Sequence, residues 1–521
     1  MDAASSSFDE EEALSALTAS TRNLFHLLVR SFYRIPGSDI LIRYIKNSHQ
    51  NDPIRTIIEI FLVIFLILFI TGKTYHPDSN AVTLSEREVD DLVDEWQPDE
   101  LVKAPSHEDQ ALIDRIPTIH GAVGPRTLVS CPAVLQKPKE VIHLASYNFL
   151  DLLGDAQLKE QNITTLRNYG VGACGPPGFY GTQDVHIQME RDIADFLGTE
   201  SCIVYAQALG TIGSVIPAFA KRGDVLVVDK GVNFAIQKGL QISRCTIKWY
   251  NHNDIDDLEQ VLKQVNKEQQ KRGLTRRFIV TEGIFENHGD LVDLPRIVAL
   301  KQQYKYRLIL DESWSIATMG KHGKGVTEHY GIDPRKIDML IGNLTGSFCS
   351  GGGFCAASAE IVDHQRISGA SYVFSAALPA MLATQVSACL LRMKQQPQLF
   401  THLADNARLF LQQVLVGGGR QGGDILCEAW PGSPMMHLRL ATPLADDEEE
   451  VRVLQAIVDE CLVNGVLVTR AKQVDQEGVK GLGECRPSLR ICVSVGHTKK
   501  DLEKAASVIR SAFAKVIKAN R

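Results

Sequence analysis

At 521 residues the chain is longer than one compact core, so two packed domains plus an accessory segment are expected. A hydrophobic share of 44% and a charged share of 22% are those of a globular protein, and a formal charge of -7 supplies no basic field, which excludes nucleic acid as an expected partner. The cysteines occur singly, with an odd total and no Cys-x-x-Cys pair, so buried thiols in a reducing compartment are expected, with no disulfide framework and no metal site.

Residues 1–52 form a polar and then amphipathic segment, in which Leu24, Leu27, Leu28, Phe32 and Tyr33 interleave with Arg22, Arg30 and Arg34. Such a stretch suits a membrane interface and a solvated helix equally. Residues 53–72 are expected to be one transmembrane helix: the run from Ile60 to Ile70 is wholly apolar, and about 20 residues cross a bilayer core. Its distance from the start of the chain and the lack of a small-residue cleavage pattern argue against a signal peptide. Residues 73–118 read as an acidic connector with Pro77, Pro98, Pro105 and Pro117.

From residue 119 the pattern is that of a folded body. Cys202 to Tyr205, Val225 to Val228, Phe278 to Val280, Leu308 to Leu310 and Met339 to Ile341 are short apolar runs, predicted as strands covered on both faces. Asn253 is the predicted cap of a helix that carries Ile255, Leu258, Val261, Leu262 and Val265 on one face. Alternation of such strands and helices predicts an α/β large domain with a mainly parallel sheet over 119–394, of which 119–160 is shared with a smaller α+β domain at 395–521. Met436 to Leu440, Val466 to Thr469 and Leu489 to Val493 are that domain's predicted strands.

Ligands of α/β sheets gather at the carboxyl ends of strands, which singles out Thr281-Glu282-Gly283 and Asp311. Around them stand Ser146-Tyr147-Asn148-Phe149-Leu150, the glycine-rich stretch from Tyr169 to Thr182, His186 with Glu190 and Phe196, Gly289-Asp290, Phe374-Ser375-Ala376-Ala377-Leu378-Pro379, Arg486-Pro487, Arg490 and His497-Thr498. In order and spacing this set resembles the α-oxoamine synthases, a family of fold-type I pyridoxal-phosphate (PLP) acyltransferases, over roughly residues 120–515.

The resemblance implies a lysine after the strand at Met339 to Ile341 that holds PLP as a Schiff base. Here Asn343-Leu344-Thr345-Gly346-Ser347-Phe348 places Gly346 there, and no lysine occurs between Lys336 and Lys394. Trp314 stands where the family has a histidine three residues after its aspartate, and Asn233 where it has the histidine that stacks on the cofactor. Asp311 alone remains of the family's main cofactor contacts, as the match to the partner of the ring nitrogen, with a purely structural role as the other reading. The resemblance therefore implies a chain without catalytic residues of its own, a pseudoenzyme paired as a heterodimer with a lysine-bearing catalytic subunit that binds the PLP, with a dimer of heterodimers as a further option.

Such sites lie at the dimer interface, so the resemblance points to Tyr169, Gly172, Cys174, Gly175, Phe179, Tyr180 and Ser375 as residues that approach the partner. Cys174 reads as a small buried thiol near that interface. Arg490 matches a substrate-carboxylate arginine, with a structural ion pair as the other reading. A pure scaffold that only anchors and stabilises its partner, and an autonomous homodimer with altered chemistry, are the competing functions. Small membrane regulatory subunits and membrane lipid are further expected partners, with the chain in the endoplasmic reticulum membrane as a single-pass protein. Arg34, Arg43, Lys46 and Arg55 before the apolar helix outnumber Lys73 and Arg87 after it, which places the body in the lumen by charge. Unpaired cysteines and the supply of cofactor and acyl-CoA place it in the cytosol, and the cytosolic body is the expectation.

Overall fold

The computed structural model describes residues 34, 36–72, 84–269, 275–415, 421–471 and 485–520, in two units, 1–103 and 104–521. The expected amphipathic stretch at 22–33, with Pro77 and Lys73 of the connector, lies outside the described residues.

In the first unit a helix spans Ser38–Asn51 and a second spans Pro53–Thr71. Asp52 caps the second, accepting from the Arg55 N–H at 3.2 Å, and Pro53 occupies the first turn, where its missing N–H costs nothing. At 19 residues and about 1.5 Å per residue it is about 28 Å long, and its residues from Phe61 to Ile70 are all exposed. By length and composition it can cross a bilayer. Its one acid, Glu59, pairs with Arg55 at 2.9 Å one turn earlier. A third helix, Glu86–Glu95, begins with a capping box between Ser85 and Glu88.

The second unit is the body. It opens with a helix at His107–Ile113 and the strands β1 (Thr118–His120), β2 (Arg126–Ser130) and β3 (Lys139–His143). The main sheet holds β4 (Ser201–Tyr205), β5 (Val225–Asp229), β6 (Thr246–Tyr250), β7 (Arg277–Glu282), β8 (Arg307–Asp311), β9 (Met339–Asn343) and β10 (Gly353–Ala357). Their order is β4-β10-β9-β8-β7-β5-β6, parallel from β9 to β6, with only β10 antiparallel to its neighbours. Alternate residues feed two cores: Val225, Val227, Ile279, Leu308 and Leu310 face one, and Leu226, Val228, Phe278, Val280 and Ile309 the other. Burial on both faces is why these strands lack a polar alternation.

After residue 420 come β11 (Gln421–Gly422), β12 (Ile425–Cys427), β13 (Met435–Leu440), β14 (Val466–Leu467), β15 (Thr469–Arg470) and β16 (Leu489–Cys492). The strand predicted from Val466 to Thr469 is divided between sheets. β14 runs parallel to β3, whereas β15 joins β16 in the sheet β11-β12-β13-β16-β15. That sheet packs with the helices Gln398–Val414, Asp447–Val463 and Lys499–Asn520 around a third core that includes Phe410, Leu454 and Phe513.

Because the body has its own cores, removing residues 1–72 is expected to release a folded protein that stays in the supernatant without detergent. Sedimentation of the truncated chain with the membrane fraction is the contrary result.

Candidate functional site

Three carboxylates end strands of the main sheet: Asp229 on β5, Glu282 on β7 and Asp311 on β8, none more than 4% exposed. Asp311 Oδ1 accepts from the Ser313 N–H at 2.9 Å and Oδ2 from Asn233 Nδ2 at 3.1 Å. Asn233 also caps the helix Phe234–Ser243, its Oδ1 accepting from the Ile236 N–H at 3.0 Å, while its own N–H donates to Glu282 Oε1 at 2.6 Å. One amide thus ties a helix start to two strand ends. Burial raises the Asp311 carboxyl above the usual carboxylate range, opposed by the bonds from Ser313 and Asn233. Glu282 is pushed well up by burial and by the charge of Asp311.

Trp314 is 8% exposed, and its ring lies 4.7 Å from that of Tyr147. Tyr147 in turn borders Gly346: a Cβ at Gly346 would sit 3.7 Å from the Tyr147 carbonyl oxygen and 3.9 Å from its Cβ. Both are ordinary contacts, so space does not enforce glycine there. Asn343 holds the turn, its Oδ1 accepting from the N–H groups of Thr345 at 2.7 Å and Gly346 at 3.3 Å. Beside Gly346, the Ser347 hydroxyl is buried without a hydrogen-bond partner. Arg490 of β16 completes the group, its guanidinium 5.1 Å from the Tyr147 ring centroid and 3.8 Å from Glu286. The structure thus gathers Trp314, Gly346 and Arg490 around Tyr147 and couples Asn233 to Asp311. This set offers hydrogen bonds, a guanidinium and aromatic surface, and no primary amine.

A second cluster escapes the sequence reading. His252 Nδ1 lies 2.9 Å from Asp229 Oδ1 and Nε2 3.2 Å from Asp290 Oδ2, with His288 stacked at 3.9 Å. Burial disfavours charge on His252, yet its bonds to the two carboxylates prevail and raise its pKa to about 10. His288, buried beside that cation, falls to about 3. Asn253 belongs to this cluster and is not the predicted helix cap. It takes φ +53° and gives its amide to Asp290 and Leu291, both at 2.9 Å, while Asp254 accepts from the N–H groups of Asp256 and Asp257 at the helix start.

The residues expected to face a partner lie at the end of the helix Ala156–Tyr169, on the glycine-rich loop that follows it and on the Ser375 segment. Tyr169 ends the helix Ala156–Tyr169 and donates to Asp184 at 2.9 Å. Ala377 N–H donates to the Gly175 carbonyl at 2.9 Å, which binds the Ser375 segment to the glycine-rich loop. Close contacts require glycine at two positions, since a Cβ at Gly175 would meet the Phe179 carbonyl at 2.8 Å and one at Gly181 would collide with the Gly175 carbonyl, while Gly170 is required by its φ of +79°. Gly172 faces open space. Cys174 is exposed in this chain and not a buried thiol, with φ +59°, a left-handed backbone uncommon outside glycine. Tyr180 shares that conformation at +65° and is fully exposed, with Phe179 at 66% and Phe374 at 85%. Of the remaining motif residues, His186 Nε2 bonds the Leu378 carbonyl and Glu190 receives Val204 N–H and Arg366, which makes both braces of the fold.

The fold and the layout of strand ends are those of the fold-type I PLP transferases, and the aminotransferase class I and II family matches residues 139–509. A serine palmitoyltransferase from Sphingomonas wittichii superposes with a TM-score of 0.67 at 21% identity, covering 78% of this chain and 96% of that one. For 8-amino-7-oxononanoate synthase from Francisella tularensis the TM-score is 0.56 at 18% identity, with 73% and 98% covered. Among closer relatives, "Long chain base biosynthesis protein 1c" of Oryza sativa subsp. japonica is 37% identical over 465 residues, 88% of this chain and 92% of the relative. "Serine palmitoyltransferase 1" of Dictyostelium discoideum is 36% identical over 462 residues, 88% and 94%, and that of Saccharomyces cerevisiae is 35% identical over 520 residues, 92% of each. The chain belongs to the serine palmitoyltransferase 1 family.

Two outcomes test this geometry. Asn233→Ala removes a cap and a partner of Asp311 and is expected to cost about 1–3 kcal/mol in chemical denaturation of the body. Asn233→Asp keeps the cap acceptor but sets a third carboxylate against Glu282 and Asp311, so its loss should be larger. Glu312, fully buried with bonds from Ser315 Oγ and the Val326 N–H, has its pKa raised by burial from 4.5 to about 7. The native state therefore holds a proton that the unfolded chain releases, and this contribution is complete at low pH and is lost as pH rises through 7. Replacement by Gln should flatten the melting temperature against pH between about 4.5 and 7.

Proposed function

We propose that this chain is the non-catalytic subunit of a serine palmitoyltransferase. It pairs with a lysine-bearing catalytic subunit, and the heterodimer condenses L-serine with palmitoyl-CoA to 3-ketosphinganine, CO2 and CoA, the first step of sphingolipid synthesis. The observation that carries this reading is in the sequence: Gly346 stands in a buried turn where the family's chemistry requires a lysine, and no lysine occurs in residues 337–393. The other groups agree. Asp311 already accepts from Asn233 and Ser313, and the Trp314 and Tyr147 rings pack together within 4.7 Å. These side chains do not fit a PLP held by this chain. The cofactor belongs to the partner, where it acts as electron sink.

What this chain contributes is a surface. Phe179, Tyr180 and Phe374 are large apolar side chains exposed on segments tied by the Ala377–Gly175 bond, and grouped exposed apolar residues mark interaction faces. With Tyr169, Gly172, Cys174, Gly175 and Ser375 they form the face that meets the catalytic subunit and shapes its site. The helix Pro53–Thr71 anchors the heterodimer in the endoplasmic reticulum membrane, with the body in the cytosol.

Co-expression tests the reading: 3-ketosphinganine should form only when this chain and a lysine-bearing subunit are both present, and turnover by either alone contradicts it. In the heterodimer, Cys174→Trp places a large ring on a left-handed backbone beside the crowded Gly175. Displacing a neighbouring site by about 1 Å costs up to about a hundredfold in rate, whereas overpacking of about 1–3 kcal/mol leaves a large interface assembled. Activity per mole of intact complex should therefore fall more than co-purification does. Unchanged specific activity would favour a pure scaffold.

A further inference from the structure

Arg490 is matched by resemblance to an arginine that holds a substrate carboxylate, and its surroundings show what it holds here. Its Nη1 lies 3.8 Å from Glu286 Oε1, and its guanidinium is laid over Tyr147, whose ring packs at a tilt of 57° against Trp314. Glu286 is held in place through its backbone. Its N–H donates to Glu282 Oε2 at 3.0 Å, and its carbonyl accepts from His437 Nε2 at 2.8 Å. Burial raises the Glu286 carboxyl, while the charge of Arg490 favours its charged form. The guanidinium therefore lies between the Tyr147 ring and one internal carboxylate.

We propose that Glu286 is a built-in ligand of Arg490: it takes the guanidinium that an α-amino acid carboxylate would otherwise engage, and so closes this subunit's own amino-acid site. The inference rests on the non-catalytic role proposed above and names the device that enforces it. A guanidinium prefers a carboxylate in a fixed geometry. A carboxylate already positioned by two backbone bonds competes as an intramolecular group, without the translational cost that a free amino acid bears. Removing either member leaves the other as a half-buried charge without its counter-ion.

A double-mutant cycle on the purified heterodimer tests this with Arg490→Gln, Glu286→Gln and the double variant, read by melting temperature and by KM for L-serine. Each single substitution should lower the melting temperature, the double variant should recover most of the summed loss, and KM should stay within about twofold. Should Arg490→Gln fail to fold, Arg490→Lys keeps the charge and enters the same cycle. Additive melting shifts, or no shift in either single variant, would overturn the pairing. So would a rise in KM of about tenfold or more on changing Arg490 alone, because it would show the arginine at work on substrate. A heterodimer that makes no 3-ketosphinganine would count against the proposed function instead, and the melting cycle would still report on the pair.

Discussion

Carboxylates buried at the ends of parallel strands must be satisfied by something, and that constraint organises this protein. In Asp229, Glu282 and Asp311 the sheet brings three acids to one edge. Water is excluded from all three, so each needs donors or a proton. Several of the donors are supplied by the chain itself. Asn233 serves Glu282 and Asp311, and His252 is held as a cation between Asp229 and Asp290. Glu286 extends the same logic outward to Arg490.

The same wiring separates the two sides of the body. Toward the interior, Trp314 packs against Tyr147 and the Asn233 amide binds Asp311, while a side chain would still fit at Gly346. Toward the surface, the glycine-rich loop keeps a demanding backbone, with left-handed Cys174 and Tyr180 and the close approach of Gly175 to Gly181. Strain of this kind persists where the surrounding structure over-determines it. Its position on the exposed apolar face, away from the interior, is consistent with a function exerted on a neighbour.

Much of this was legible in the sequence, and the exceptions have physical causes. The apolar runs from Cys202 to Ile341 all became strands because burial on both faces leaves an unmistakable hydrophobic signature. Gly346, Trp314 and Asn233 stood out as departures from a family pattern. Splitting of the Val466 to Thr469 run was not legible, because apolar character does not say which sheet edge a strand joins. Asn253 and Asp254 are both good caps by type, and only the pull of Asp290 decides between them. Glu286 could not be singled out at all, since its role arises from the meeting of residues after β7 with β16, far apart in the chain. Exposure of Cys174 was missed because a thiol is read as buried by default.

In the proposed heterodimer, cofactor chemistry resides on the partner and is only shaped by this chain. Borohydride reduction of the active heterodimer followed by peptide mapping tests it most directly. The account predicts one pyridoxyl-lysine per heterodimer, on the partner's peptides, and none on any peptide of this chain. A pyridoxyl-lysine recovered from this chain, at a yield comparable to the partner's, would contradict it.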